Sequence, residues 1–169
     1  VYPEKADPNL LIATIITEVA KTVVYLGYGD IAGVMQHTQK DGWSSGHNDY
    51  NWDNGDKSWR GYYNILRNND ELYKKANAMK LNFHKGVALV MEAYTFGLIT
   101  DLWGDAPYSA ALNAEEGGTE NLKPLFDAQR DIYLGILADL DTANALLSKE
   151  QDAYSGINPT QDVLYGGDG

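Results

Sequence analysis

The stretch from Ala93 to Tyr108 constrains the fold most, because an apolar helical pattern runs there into Leu102-Trp-Gly-Asp-Ala-Pro-Tyr108, a turn that no helix passes through. Met91, Tyr94, Leu98 and Leu102 recur at three and four residues, which is one face of a helix. Gly104 supplies a residue that takes positive φ just past the helix end, and Pro107 cannot continue the helix. Asp101 falls in the last turn, where the partial negative charge of the helix end repels a carboxylate. It is therefore expected to find a compensating donor in a local polar network of the turn.

Upstream, Asp7-Pro-Asn9 opens a helix whose apolar stripe is Leu11, Ile12, Ile15, Ile16, Val19, Val23 and Leu26. Its β-branched residues favour strand locally, but the period of 3.6 holds over several turns and no alternation appears. Gly27-Tyr-Gly29 ends it, and Asp30 caps a second, shorter helix to about Thr38. Ser58 or Asp56 caps a third helix carrying Trp59, Tyr62, Tyr63, Leu66, Leu72, Tyr73 and Ala76, with a distortion expected at Asn68-Asn-Asp70. The fourth begins near Asn82, so close that the third and fourth must fold back as an antiparallel pair. Gly86, Ala93 and Gly97 share one face of it and mark a close helix approach, with Gly97→Leu expected to overpack. Asp127 is the expected N-cap of the last helix, where Arg130 stands in place of the Glu of a capping box. Its expected core face is Tyr133, Ile136, Leu137, Leu140, Ala143 and Leu147. The pattern is an all-α fold of antiparallel helical hairpins joined by long loops. A last helix with no following partner would leave an apolar side uncovered.

Composition narrows the function classes. The formal net charge of −11 argues against nucleic acid and against an anionic membrane face, since both need a cationic surface. With no cysteine, disulfides and thiolate metal sites are excluded. The richest apolar run, Leu10 to Leu26, is interrupted by Glu18 and Lys21, so no segment is expected to reach the ~20 apolar residues of a membrane span.

From Asp41 to Lys57 the periodicity vanishes, and Gly, Ser, Asn, Asp and His are interleaved with Trp43, Tyr50 and Trp52. Loops beyond ~12 to 15 residues without secondary structure are usually functional or disordered, and disordered segments are poor in aromatics. Sugars present apolar C–H faces and a rim of hydroxyls, so proteins bind them with ring faces, planar amides and carboxylates. Trp43, Asn48, Asp49, Tyr50 and Trp52 are that mixture and are the candidate glycan-binding residues. The plainer alternative is that these rings pack the loop onto the helices; Trp59 and Trp103, on or beside helices, are expected in the core. Asp49, Asn51 and Asp53 have an alternating oxygen spacing, but Asn54 and Arg60 stand where an EF-hand needs Gly and Glu, and no metal is assigned. A glycosidase needs two suitably spaced carboxylates, for which Asp49, Asp53, Asp101 and Asp105 are candidates, but exposed loop carboxylates lack the burial that raises an acid's pKa. Ser44, Ser45, His47 and Asp49 are loop polar residues rather than a triad, because triads assemble in space from distant residues. His37 and His84 are isolated, without the paired spacing of a zinc helix.

The Leu102-Trp-Gly-Asp-Ala-Pro-Tyr108 turn, Phe126-Asp-Ala-Gln-Arg-Asp-Ile-Tyr133, Asp30-Ile-Ala-Gly-Val-Met-Gln-His-Thr-Gln39 and Trp59-Arg-Gly-Tyr-Tyr-Asn-Ile-Leu-Arg67 occur in this order. Together they resemble the SusD/RagB family of outer-membrane nutrient-binding lipoproteins, over nearly the whole chain. The resemblance implies tetratricopeptide-like helical hairpins, although no Trp-x-x-Leu-Gly-x-x-Tyr string is present. It implies that residues 1–169 are a single helical domain, the N-terminal part of a larger protein, in which later residues also contribute to the binding face. It further implies a non-enzymatic, cofactor-free cell-surface protein of the outer membrane, which captures glycan, or peptide in some relatives. That protein would pass its ligand to a SusC-like TonB-dependent transporter, touching the membrane only through a lipid anchor not present in this chain. The alternatives kept beside it are a helical protein–protein interaction module without a sugar ligand, and a glycoside hydrolase.

Overall fold

The structure, a computed structural model, describes residues 7–39, 41 and 58–149. Its elements are α1 (Pro8–Tyr28), α2 (Asp30–Val34), α3 (Arg60–Ala78), α4 (Asn82–Trp103), a 3-10 turn (Ala114–Glu116), α5 (Thr119–Leu122) and α6 (Gln129–Leu147). The described residues contain no strand, only an isolated bridge between Ala106 and Asp127, so the all-α expectation holds.

The chain is built on α4, which packs against α1, α3 and α6. Neighbours on three sides leave it without a single core face. Ala88, Leu89, Ala93, Phe96, Ile99 and Thr100 are buried, whereas Tyr94 is 46% exposed and Met91, Leu98 and Leu102 are only partly covered. The expected Met91–Leu102 stripe is therefore an edge of the helix rather than its centre. Around the C-terminal half of α4, Tyr62 and Leu66 of α3 meet Phe96 and Ile99 with Ile132 and Ile136 of α6. Around its N-terminal half, Leu11, Ile15 and Val19 of α1 join Ile65, Leu72 and Ala88 on one side. Leu89 packs on Ala143 and Leu146 on the other.

The α3–α4 hairpin turns at Met79–Leu81 as expected. The Leu81 amide donates to the Ala76 carbonyl (2.8 Å) and the Lys80 amide to that of Asn77 (3.3 Å). This is a Schellman closure with Lys80, at φ 59°, in the position glycine usually takes. No distortion occurs at Asn68-Asn-Asp70. Asn69 is buried instead, and its amide donates to the Ala88 carbonyl (2.9 Å), so the polar side chain locks α3 to α4 rather than bending its own helix. Ser58 accepts weakly from the Arg60 amide (3.3 Å). Helix α1 opens at Asp7-Pro-Asn9 as expected, and Asp7 caps it through the Asn9 amide (2.9 Å). The second helix is shorter than expected, ending at Val34, and its cap is Gly29 rather than Asp30.

Two further corrections concern close approach. A Cβ on Gly97 would meet nothing within 4 Å; the tight glycine is Gly86, where it would lie 2.6 Å from Leu147 Cγ. On α6 the inner face is Ile132, Ile136, Ala143 and Leu146, while Tyr133, Leu137 and Leu140 are exposed and Leu147 lies at the margin. The helix is rolled because Gly135 leaves space for the Tyr108 ring, whose Cε1 lies 2.6 Å from where a Cβ would stand. Finally, Pro8–Val34 is long and apolar enough to cross a membrane by length and composition, contrary to the expectation drawn from Glu18 and Lys21. Those two pair with each other at 2.7 Å. In this fold one side of α1 lies in the core, as the buried Leu11, Ile15 and Val19 require.

Candidate functional site

The turn after α4 is held by exchanged caps. Asp105, in the turn, accepts from the Gln129 amide at the start of α6 (2.9 Å), so it does the work expected of Asp127. Asp127, before α6, accepts from the Tyr108 amide (2.9 Å), the Ser109 amide (2.8 Å) and the Ser109 hydroxyl (2.8 Å). Desolvation pushes the Asp127 carboxyl up, but these three donors outweigh it and hold the group below the usual carboxylate range. Ala106 and Asp127 exchange backbone hydrogen bonds (3.2 and 2.9 Å). The Gln129 side chain reaches the Thr100 carbonyl (2.7 Å), and Tyr63 of α3 donates to the Pro107 carbonyl (2.7 Å). Asp101 does find a donor, but across the helix pair: the Tyr133 hydroxyl of α6, not the turn.

This clamp fixes one end of an open groove of about 1080 Å³ between α3 and the segment 107–124. Its α3 wall is the stripe Arg60, Asn64, Arg67, Glu71 and Lys74, at spacings of four, three, four and three. Asn113, Glu115, Glu116 and Asn121 stand opposite, and Trp59 and Tyr63 lie at the clamped end. Trp59 is half-buried, with the rings of Tyr63 (5.8 Å), Trp103 (6.1 Å) and Phe126 (5.6 Å) around it. The expectation that Trp59 and Trp103 are core thus holds in part: both pack on the core cluster while remaining partly accessible. The Tyr63 hydroxyl is pushed up to about 12 by burial and by Asp127, so it stays a neutral donor. A partly exposed indole, amides and both signs of charge along one trough can stack a ring and bond hydroxyls. Glu92, whose carboxyl burial raises to about 7, does not line the groove.

The loop residues singled out by sequence, Trp43, Asn48, Asp49, Tyr50 and Trp52, lie outside the described residues. Sequence reasoning missed the groove. The signal was the polar stripe of α3, indistinguishable by spacing from a solvated helix face until the 107–124 wall is placed opposite.

A sequence profile of the SusD-like family, described as "Starch-binding associating with outer membrane", matches residues 2–169. The chain belongs to this family. A crystal structure described as a SusD/RagB family protein from Bacteroides thetaiotaomicron resembles it with a TM-score of 0.62 at 26% identity, covering 97% of this chain and 34% of that one. The chain therefore spans about a third of the length of that relative. No curated protein matches. In this SusD-like chain the Trp-Gly-Asp-Ala-Pro-Tyr motif has a structural task. Gly104 takes φ 76°, Asp105 caps α6, Ala106 is fully buried, the Pro107 carbonyl accepts from α3, and Tyr108 fills the notch at Gly135.

Proposed function

We propose that this chain is the N-terminal part of a cell-surface glycan-binding protein of the outer membrane. It captures oligosaccharide without cleaving it and delivers it to a SusC-like TonB-dependent transporter, held at the membrane by a lipid anchor. The observation that carries the reading is the match to a starch-binding family over residues 2–169. Composition supports it: three of the four tryptophans, Trp43, Trp52 and Trp59, fall within one short stretch among amides and carboxylates. In this reading Trp43, Asn48, Asp49, Tyr50 and Trp52 form the sugar platform, and stacking rings must then be accessible before the ligand arrives.

Glycan-array binding tests the reading, followed by Trp52→Ala. The expected outcome is weaker oligosaccharide binding with an unchanged melting temperature, because exposed substitutions change stability by only ~0.5 kcal/mol. A ring packed in the core would instead cost ~3 to 5 kcal/mol on truncation. Unfolding of the variant would sink the platform, and sugar cleavage on long incubation would favour a hydrolase. A second reading, a protein-interaction module, draws on the exposed apolar side chains of α1 and α6, among them Val24, Tyr25, Leu134 and Leu137. Absence of any glycan binding would favour it.

A further inference from the structure

The charges in the α3 groove are not evenly mixed. At one end the Lys74 ammonium pairs with Asp70 (2.6 Å), with Glu71 and Glu115 adding to the field on the same amine. Glu116, next to Glu115 in sequence, lines the trough as well. Along the same wall, Arg60 and Arg67 are exposed, and among the described residues neither has an ion pair with a carboxylate. They are seven residues apart, two helical turns, so their stems sit on one face about 10 Å apart along the axis. Asn64 lies between them and Trp59 beside Arg60. In a chain of net charge −11, two guanidiniums without a carboxylate partner, one of them beside a partly accessible indole, are a local source of positive charge, with Asp70 and Glu71 one turn beyond Arg67.

A guanidinium presents a planar fork of donors that matches a carboxylate in two parallel hydrogen bonds, which hydroxyls do not reproduce. The acidic end of the groove sets the opposite condition, since a second carboxylate placed against Asp70, Glu71, Glu115 and Glu116 would be repelled. We propose that this groove binds an oligosaccharide carrying a single uronic acid, with the carboxylate held between Arg60 and Arg67 and neutral sugars on Trp59 and along the amides. The inference rests on the glycan reading and narrows it to a substrate class: neither a fully neutral glycan nor a polyuronate.

The test is calorimetric titration of the chain with xylo-, gluco-, galacto- and manno-oligosaccharides. Each is offered with and without one glucuronic acid, each acid is also offered as its methyl ester, and an oligogalacturonate and an oligo-aspartate peptide complete the series. The expected result is that one uronate-bearing sugar binds roughly 10- to 100-fold more tightly than its methyl ester, as charged hydrogen bonds imply. Arg60→Gln and Arg67→Gln should each shrink the acid-over-ester ratio, weakening the acid more than the ester, and the oligogalacturonate should bind more weakly than the mono-uronate. Both arginines are exposed, so circular dichroism is expected to show an intact fold. Equal affinity for acid and ester, or a preference that survives both substitutions, overturns the proposal while leaving the glycan reading standing. Tightest binding of the oligogalacturonate also overturns it. Binding of the peptide but of no sugar overturns both.

Discussion

The two ends of α4 are held to α6 by different physics. At the N-terminal end of α4 the contact is one of shape: Gly86 lies under Leu147 and against Ala143, with Leu89 and Leu146 closing the gap. At the C-terminal end the contact is one of hydrogen bonds. There Asp105 and Asp127 exchange caps, Gln129 reaches back to Thr100, and Tyr133 covers Asp101. The difference teaches how directional and non-directional contacts divide labour. Packing tolerates sliding and rolling of helices, whereas charge-assisted hydrogen bonds set one geometry. The groove begins at the polar end, where Pro107 and Tyr63 are fixed to each other. A binding surface needs that fixity more than a core does.

The polar end should be the more sensitive to loss of one side chain. Asp127→Ala removes three hydrogen bonds, two of them from the Tyr108 and Ser109 backbone amides, and is expected to cost ~2 to 3 kcal/mol. Chemical denaturation measures it, with m unchanged. Asp105→Ala, a lost helix cap, should cost about 1 kcal/mol. If Asp105→Ala proved the more damaging, α6 would depend on its cap more than on the turn beneath it.

At the packed end Gly86→Leu should cost about 2 kcal/mol, because the new side chain must displace Leu147 and press on the Ala143 carbonyl. Leu147 is partly exposed and can swing aside, which keeps the figure below that of a sealed core. A loss clearly larger than that of Asp127→Ala would reverse the contrast between the two ends.

The same contrast explains what was legible in the sequence. The Gly-Asp-Ala-Pro-Tyr turn was visible because breakers and short polar residues have fixed local tasks. The hairpin at Met79–Leu81, the helix start at Asp7-Pro-Asn9 and the all-α class followed from period and spacing. What failed was everything decided by a neighbour. Asp127 looks like a cap until Asp105 arrives from across the turn, and Gly97 looks as tight as Gly86 until α6 is docked. The face expected for α6 holds only at Ile136 and Ala143, because the helix carries two apolar stripes and Tyr108 seated at Gly135 turns the Ile132–Leu146 one inward. The groove was illegible for the same reason, since α3 supplies one wall and a segment some forty residues later supplies the other. The loop platform rests on residue type alone, and its residues lie outside those described.

Midway along α4, Glu92 offers a pH test. Burial, with Asp139 and Asp70 adding repulsion, raises its carboxyl to about 7, above the ordinary 4.5. The folded state therefore holds this proton more tightly than the unfolded chain. Its contribution is complete below pH 4.5 and is lost as pH rises towards 7. At the helix start the buried His84 ring, whose Nε2 lies 2.8 Å from the Asn9 side-chain oxygen Oδ1, has the opposite sign. Desolvation lowers its pKa, so its contribution is present above 6.5 and is lost as pH falls through the lowered value. The two slopes oppose each other in mildly acidic solution. Glu92→Gln should stabilise by about 1 kcal/mol at pH 8, gain nothing at pH 4, and unmask the His84 slope in thermal melts taken across that range. An unaltered pH profile in the variant would mean that Glu92 is solvated.

The smallest effect separates the two glycines of α4. Gly97 sits in the helix interior with φ in the ordinary helical range, and a Cβ there would touch nothing. Glycine then serves no packing purpose and only adds backbone freedom to the unfolded chain. Gly97→Ala should raise stability by ~0.5 to 1 kcal/mol, where Gly86→Ala should lower it, both read from the midpoint of a urea titration. Opposite signs within one helix would establish that close approach to α6 is confined to the end packed by shape. A loss on Gly97→Ala would instead require another surface against that face of α4, close enough to feel a single methyl group.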